Sequence, residues 1–184
     1  MISKEWYALQ VYTGREKWVS SYMQESGHET LLPVSVVISK WSDRHKQIER
    51  PVFPGYVFCH FDATRRAPIL SVPGVLSIVG RAKTPVPIEA HEIAALQKIQ
   101  KTGYRVEACP YLDTGAWVSI EGGSLDGVIG RLVQLKKRYR VMLSVSLLQR
   151  SVCLEVDQQR LRPVHVEPGQ APIKLMSRHA GEGV

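Results

Sequence analysis

Cysteine is scarce, with three residues in a chain of 184, at positions 59, 109 and 153. They are odd in number and far apart, so they suggest neither a disulfide framework nor a CxxC redox or zinc pair, and they read as reduced structural residues. The six histidines are scattered. No HExxH or Cys/His cluster supplies the ligand spacing that zinc requires, and no metal or cofactor is expected. Long apolar runs are missing too. Nowhere do eighteen apolar residues run together, and the opening residues lack a signal-peptide core, so the expectation is a cytoplasmic chain with no membrane partner. Catalytic signatures are equally sparse. There is no G-x-S-x-G elbow, no G-x-x-x-x-G-K-[ST] phosphate loop and no distinguished carboxylate pair, and Ser124 has no base nearby in sequence. The chain reads as a binding protein, not an enzyme.

What is present is a hydrophobic content of 44% and an excess of base. Twenty-four Lys and Arg against seventeen Asp and Glu leave a net charge of +7, which favours an acidic partner such as nucleic acid. The excess is uneven. Residues 1–105 carry fourteen basic and nine acidic side chains (+5), and residues 106–184 carry ten and eight (+2).

The pattern predicts two architectures in series. Trp6 to Tyr12 reads as a first strand. The T-x-x-E spacing of Thr13 and Glu16 reads as a capping box for a helix carrying Trp18, Val19, Tyr22 and Met23 on one face, with Gly27 as its left-handed stop. Leu31 to Ile38 is extended, and the basic stretch through residue 46 suggests a hairpin with a positive tip. Pro54-Gly55 then breaks the chain ahead of an aromatic-rich strand to Phe61. Asp62 suits a cap for a short helix containing Pro68, Leu76 to Val79 a strand, and Pro87 to Gln100 a helix. The order β-α-β-β-α-β-α predicts an α+β sandwich with a mainly antiparallel sheet over residues 1–102.

Residues 103–113 lose all periodicity and read as a linker. Residues 114–164 are expected to form a small five-stranded β-barrel. Val118 and Ile120, then Val141, Leu143, Val145 and Leu147, then Val152, Leu154 and Val156 alternate with mostly polar neighbours, and glycines at 122, 123, 127 and 130 supply tight turns. The stretch 165–184, rich in Gly and Pro, reads as a flexible tail.

Two candidate surfaces follow. Trp6, Tyr7, Phe53, Pro54 and Tyr56 place aromatics on strands that are expected to pair, with the Pro-Gly break able to hold a ring at a surface where a partner helix lies. Lys40, Arg44 and Lys46 on the hairpin, with Arg15 and Lys17 at the first helix start, are candidate phosphate contacts.

The sequence Trp6-Tyr7-Ala8-Leu9, Phe53-Pro54-Gly55-Tyr56-Val57 and Val72-Pro73-Gly74-Val75, followed by a linker and a Gly-rich barrel, resembles the NusG family of transcription elongation factors over residues 4–163. The first half looks like an NGN domain, and Gly115 to Val133 like a KOW motif of an SH3-like barrel. Trp41-Ser42-Asp43-Arg44, Phe53 to Cys59 and Ser144 to Arg150 look most like the specialised UpxY and RfaH-type antiterminators. The resemblance implies binding to the clamp helices of the RNA polymerase β′ subunit through Phe53 and Tyr56, with Trp6 and Tyr7 beside them, and a lie of the basic residues towards upstream or non-template DNA. It also implies that the barrel recruits a small-subunit ribosomal protein or Rho through Leu125, Val128 and Ile129. Aliphatic Val128 stands where general members often present an aromatic, which speaks against Rho. The implied role is operon-specific suppression of pausing or termination by a monomer, with a housekeeping elongation factor or a ribosome-associated RNA-binding protein as alternatives.

Overall fold

The structure is a computed structural model that describes residues 4–41, 44–102, 106–109, 111, 115–135 and 138–166, with the backbone alone at 38–41, 44–46, 108, 134, 135 and 138. The expected tail beyond residue 166 lies outside the described residues.

The first half begins with β1 (Glu5–Val11) and α1 (Glu16–Glu25), followed by β2 (Glu29–Leu31), β3 (Val34–Trp41), β4 (Arg44–Pro51) and β5 (Tyr56–Phe61). A single 3-10 turn leads into α2 (Ala67–Leu70), β6 (Val75–Ile78), the short pair β7 (Gly80–Arg81) and β8 (Thr84–Pro85), and α3 (Ala90–Thr102). Four strands form an antiparallel sheet in the order β2-β5-β1-β6. Strands β3 and β4 form the expected hairpin, paired from Val34↔Pro51 to Trp41↔Arg44; residues 42 and 43 lie outside the described ones.

Because side chains alternate across a strand, β1 and β5 divide their residues between two faces. One face presents Tyr7, Leu9, Val11, Val57, Cys59 and Phe61 and is covered by Val19 and Met23 of α1 and by Ile69 of α2. The other presents Ala8 and Phe58, flanked by Trp6 and Tyr56, and is covered by Phe53, Ile88 and the α3 residues Ile93, Leu96 and Ile99. Burial pushes the Cys59 thiol up to about 12, in keeping with an unreactive core cysteine.

Helix α1 differs from its expected form at both ends of the argument. Thr13 is not its cap: Arg15 occupies that position with no side-chain cap, and Glu16 instead reaches back to accept from the backbone N–H of Gly14 and of Gly55, both at 2.8 Å. Only Val19 and Met23 face inward; Trp18 and Tyr22 are exposed, because the stripe of four apolar residues is wider than the sheet can cover. The expected stop holds, with Gly27 at φ +82°, whereas Asp62 caps the 3-10 turn Ala63–Arg65, accepting from Thr64 N–H at 2.9 Å, and the helix containing Pro68 begins after Arg66 without a side-chain cap.

The second half contains β9 (Glu107–Cys109), β10 (Trp117–Ile120), β11 (Ile129–Leu135), β12 (Arg138–Val145), β13 (Arg150–Glu155) and β14 (Leu161–Pro163). They form one antiparallel sheet in the order β14-β10-β11-β12-β13-β9, six strands instead of five. The extra strand comes from the stretch expected to be linker. Glu107 to Cys109 pairs with Ser151 to Cys153, and Arg140 fastens it by bonding Glu107 at 3.2 Å and Glu155 at 3.1 Å.

A second departure concerns β12 and β13. Val141, Leu143 and Val145 face Val152 and Leu154 in the interior, as the alternation requires, yet Met142, Ser151 and Cys153 on the opposite face are buried as well. On that opposite face Ser151 and Cys153 are paired with the added strand β9, while the interior face joins one apolar cluster that runs without a break from Phe58 through α3 to Val118, Val141 and Leu154.

Candidate partner-binding surface

The aromatic residues singled out from the sequence fall on different sides of the N-terminal sheet. Trp6 pairs with His60, Ala8 with Phe58 and Gln10 with Tyr56, so Trp6 and Tyr56 share a face and Tyr7 belongs to the other. Tyr7 is core: its ring lies 4.8 Å from that of Phe61, and burial, with Glu5 and Asp62 nearby, raises its phenol above the ordinary value. Phe53 is core as well, 2% exposed, and meets Phe58 edge-on at 5.8 Å. Neither of these rings is an exposed anchor; Phe53 is the floor under one.

What remains partly exposed is Trp6 at one end of this face and Pro54 and Tyr56 at the other, a strip interrupted by the buried Ala8 and Phe58. Trp6 is half-buried and stacks on His60 at 5.2 Å, Pro54 is exposed, and Tyr56 is half-buried at the strip's far end. The Pro-Gly turn holds Tyr56 there. Gly55 has φ +83°, a conformation that costs other residues strain. Its carbonyl accepts from Val11 N–H at 2.8 Å, its N–H donates to Glu16, and Tyr56 N–H donates to the Phe53 carbonyl at 3.1 Å.

The strip is not bare. The Arg150 guanidinium stands over the Tyr56 ring, 5.2 Å from its centroid, and Leu147 and Leu148 pack against the same cluster. Three polar contacts fasten the two halves around it: Ser146 N–H donates to Glu92 Oε1 at 2.9 Å, Lys98 Nζ to the Asp126 carbonyl, and Ser35 Oγ to the Val106 carbonyl at 2.8 Å. These covering residues went unrecognised in the sequence. The segment Ser144 to Arg150 stood out there as a subgroup resemblance, while its position over Tyr56 depends on a long-range contact that no local pattern encodes.

The loop residues expected to meet a second partner are also largely enclosed. Leu125 and Val128 are buried in the common cluster, and only Ile129 is half-buried. Val128 and Ile129 line a cleft of ≈ 360 Å³ against Ala90, His91, Ala94 and Lys98 of α3.

Of the candidate phosphate contacts, Arg15 is exposed and forms no ion pair among the described residues, whereas Lys17 is taken up by Glu49 of β4 at 2.9 Å. Lys40, Arg44 and Lys46 sit on the distal part of the hairpin, where Lys40 opposes His45 and Trp41 opposes Arg44; their side chains lie outside the described ones.

Comparison with known proteins places this geometry. Residues 4–97, more than half of the chain, match a family described as "Transcription termination factor nusG". The chain belongs to the NusG family. Similar relatives include the "Transcription termination/antitermination protein NusG" of Escherichia coli O6:H1, 28% identical over 171 residues that span 84% of this chain and 93% of that one. The Pseudomonas aeruginosa protein of the same description is 24% identical over 177 residues, 89% of this chain and all of that one. A solved structure described as "Domain interaction in Thermotoga maritima NusG" covers 89% of this chain and 98% of its own with a TM-score of 0.50 at 20% identity, a likeness of fold. The matched NusG region contains β1, the Pro-Gly turn and most of α3, and therefore the whole of the Trp6–Tyr56 strip. Among the described residues no helix is long and apolar enough to cross a membrane, and no three acidic, His or Cys side chains are grouped to hold a metal ion.

Proposed function

We propose that this NusG-family chain is a transcription termination/antitermination factor that grips RNA polymerase through the Trp6–Tyr56 strip, its counterpart being the coiled coil of the β′ clamp helices. The observation that carries the reading is Tyr56, a half-buried ring beside the floor of Phe53 and Phe58, fixed by the Pro54-Gly55 turn and lying under Arg150 of the C-terminal sheet. A helix pair presents an apolar stripe that such a rim accepts, and aromatic anchors of this kind dominate the energy of an interface. The C-terminal sheet occupies the same ground, so it has to move aside first. The apparent affinity for polymerase is then the intrinsic one scaled by the open fraction.

In this reading the bound factor holds the clamp in one state and opposes the opening that pausing requires. No bond is made or broken. A coupling of about 1–3 kcal/mol changes pausing roughly five- to 150-fold. In the same reading Arg15 and the distal hairpin residues Lys40, Arg44 and Lys46 serve upstream or non-template DNA, with Lys17 contributing less because Glu49 already holds it. Once freed, the C-terminal sheet offers its Ile129 loop to a ribosomal protein or Rho. The Ser144 to Arg150 segment, which does the covering, supports an operon-restricted role in which opening is conditional.

The test is copurification of the full chain with elongating polymerase at low salt. Tyr56→Ala is expected to weaken capture at least tenfold without loss of fold, the scale of an interface hot spot, and Arg150→Ala to strengthen it. Absence of capture by either the wild-type chain or Arg150→Ala overturns the reading. Deletion of the gene separates its two versions: read-through lost at one operon favours the restricted role, genome-wide loss the housekeeping one.

A further inference from the structure

The three cysteines lie far apart in the sequence, yet the fold brings two of them together. Cys109 stands on β9 and Cys153 on β13, forty-four residues later. In the register of these strands Cys109 opposes Ser151 and Cys153 opposes Glu107. Opposed residues share a face of the sheet, and so do residues two apart on one strand. The two cysteines are therefore diagonal neighbours on one face, and their thiols hydrogen-bond to each other. Cys59, the third, is buried in the N-terminal sheet.

Accessibility and charge differ between the two. Cys153 is buried, whereas Cys109 is half-buried on the outermost strand of its sheet. The bond from Cys109, aided by the Arg140 guanidinium, holds the Cys153 thiol below its ordinary value against burial and Glu107; the same bond, with burial, holds Cys109 above it. Cys153 is thus the readier thiolate, the form in which sulfur attacks an oxidant, and Cys109 stands beside it to resolve the product. Diagonal neighbours in an antiparallel pair have Cα atoms about 7–8 Å apart, just beyond the ~4.4–6.8 Å that a disulfide spans, so closure asks for a shift of about 1 Å. Strand β9 has three residues and a ladder partner on one side only, which leaves it free to make that shift.

Strand β9 is also where the two halves of the chain are joined. Four residues, 103–106, separate it from α3, and Ser35 of β3 holds the last of them by donating to the Val106 carbonyl at 2.8 Å. When the C-terminal sheet leaves α3, β9 either travels with the sheet or is drawn off it. Travelling with it leaves a tether of four residues, at most about 14 Å long; drawn off, it leaves the fourteen residues 103–116, at most about 50 Å. We propose that Cys109 and Cys153 form a dithiol oxidised by hydrogen peroxide, and that the resulting disulfide keeps β9 on the C-terminal sheet and that sheet on the short tether. The Cys153 thiolate attacks peroxide and the O–O bond breaks. One oxygen stays on sulfur as a sulfenic acid, and the other leaves as hydroxide and takes up the proton that Cys153 gave away. The Cys109 sulfur then attacks Cys153, the S–S bond forms as the S–O bond breaks, and the second oxygen leaves as water with the Cys109 proton. Two thiols and one peroxide become one disulfide and two waters. Formation of the bond stands apart from the polymerase reading; its effect on reach rests on the opening described there.

The experiment is titration of the reduced full chain with hydrogen peroxide, read by intact mass and by alkylation, after denaturation, of the thiols that remain. The wild-type chain is expected to lose two of its three thiols and about 2 Da, reversibly with dithiothreitol, and Cys59→Ser to lose both of its own. Cys109→Ser should form no internal disulfide. Three thiols still open to alkylation after peroxide, a bond that includes Cys59, or a covalent dimer in place of the internal bond overturns the proposal. Amide hydrogen exchange reads the tether: on oxidation exchange in β9 should slow by about tenfold or more while β1 stays unchanged. Equal exchange of β9 in the two states overturns the tether part. Polymerase capture by the reduced chain is measured in parallel. Its absence with the disulfide formed sinks the polymerase reading alone, and its presence without the disulfide sinks the dithiol alone.

Discussion

The two faces of the N-terminal sheet are built from alternate residues of the same two strands, yet they are closed in different ways. The Tyr7–Val57 face is covered by α1 and α2, elements that lie close in sequence to the strands they cover, with an apolar cluster edged by the Ser20–Thr30 and Glu16–Gly55 bonds. The Trp6–Tyr56 face is covered by α3 and then by a sheet from the other half of the chain, held by Glu92–Ser146, Lys98–Asp126 and the Arg150–Tyr56 contact. A neutral hydrogen bond contributes only ~0.5–1.5 kcal/mol net and an exposed cation–π contact ~0.5–1 kcal/mol. The first face is closed by segments near in sequence; the second is closed by distant segments through a continuous apolar cluster, to which each polar fastening adds a small increment.

The largest effect that bears on this contrast is expected from Phe58→Ala. Phe58 is fully buried at the floor of the second face, and its removal should cost about 3–5 kcal/mol in chemical denaturation, as much as truncation of a large residue on the first face. Tyr56→Ala, two residues away on the same face, should cost under about 1 kcal/mol while it removes polymerase capture. Equal losses of stability at 56 and 58 would mean that the second face is an ordinary core. Next in size is Gly130→Ala. A methyl group there would sit 2.6 Å from the Met142 carbonyl oxygen and from Val141 Cγ1, so an overpacking cost of about 1–3 kcal/mol is expected. That cost should fall on the C-terminal sheet. Hydrogen exchange should rise in β11 and β12 and leave β1 and β5 protected, and a uniform rise would show that the two halves unfold as one.

Much of this division was legible in the residues. Strand β1, the turn at Gly55, the stop at Gly27 and the Asp62 cap follow from local chemistry, and period-two alternation located the C-terminal strands. That same alternation separates Trp6 from Tyr7 and Phe53 could be assigned to neither face, since it lies in a turn that only the folded sheet orients. The enclosed second face of β12 left a fainter trace. Met142 and Cys153 are apolar where Arg140 and Ser144 are polar, a sign that something covers that side. Beside it β9 pairs with β13, a contact between segments more than forty residues apart, and Arg150 over Tyr56 is likewise a contact between distant segments. The exposed Trp18–Tyr22 pair was readable as helical spacing but not as a flank, because the breadth of the surface beneath a helix is set by the sheet.

A smaller effect is expected from Arg150→Ala, which removes the cation over Tyr56 and leaves the rest of the docked sheet in place. Loss of about 0.5–1 kcal/mol raises the open population roughly two- to fivefold, and polymerase capture by the full chain should strengthen by the same factor as long as the closed form predominates. The Tyr56 ring signal in NMR reports the change directly. If it does not move in Arg150→Ala, the contact contributes nothing to closure and the second face is held by apolar packing alone.

The smallest and most specific effect is a dependence on pH carried by Glu92. Its carboxyl is raised above 4.5 by burial, against the opposing influence of the bonds from Ser146 and with some help from Glu89. A carboxyl raised in the closed form contributes closure that is fully present below 4.5 and is lost as pH rises through the closed-state value. His91 beside it works the other way, since burial lowers it from 6.5, so its contribution is present above that value and is lost as pH falls through the closed-state one. Glu92→Gln keeps an acceptor for Ser146 N–H and removes only the first dependence. Followed by the Tyr56 signal, closure in the wild-type chain should weaken as pH rises from 4.5 and as it falls from 6.5, so that it is least between those values, whereas in Glu92→Gln the loss on rising pH should disappear and the loss on falling pH remain. An unchanged profile would place the fastening between α3 and the Ser146 turn outside the equilibrium that opens the second face.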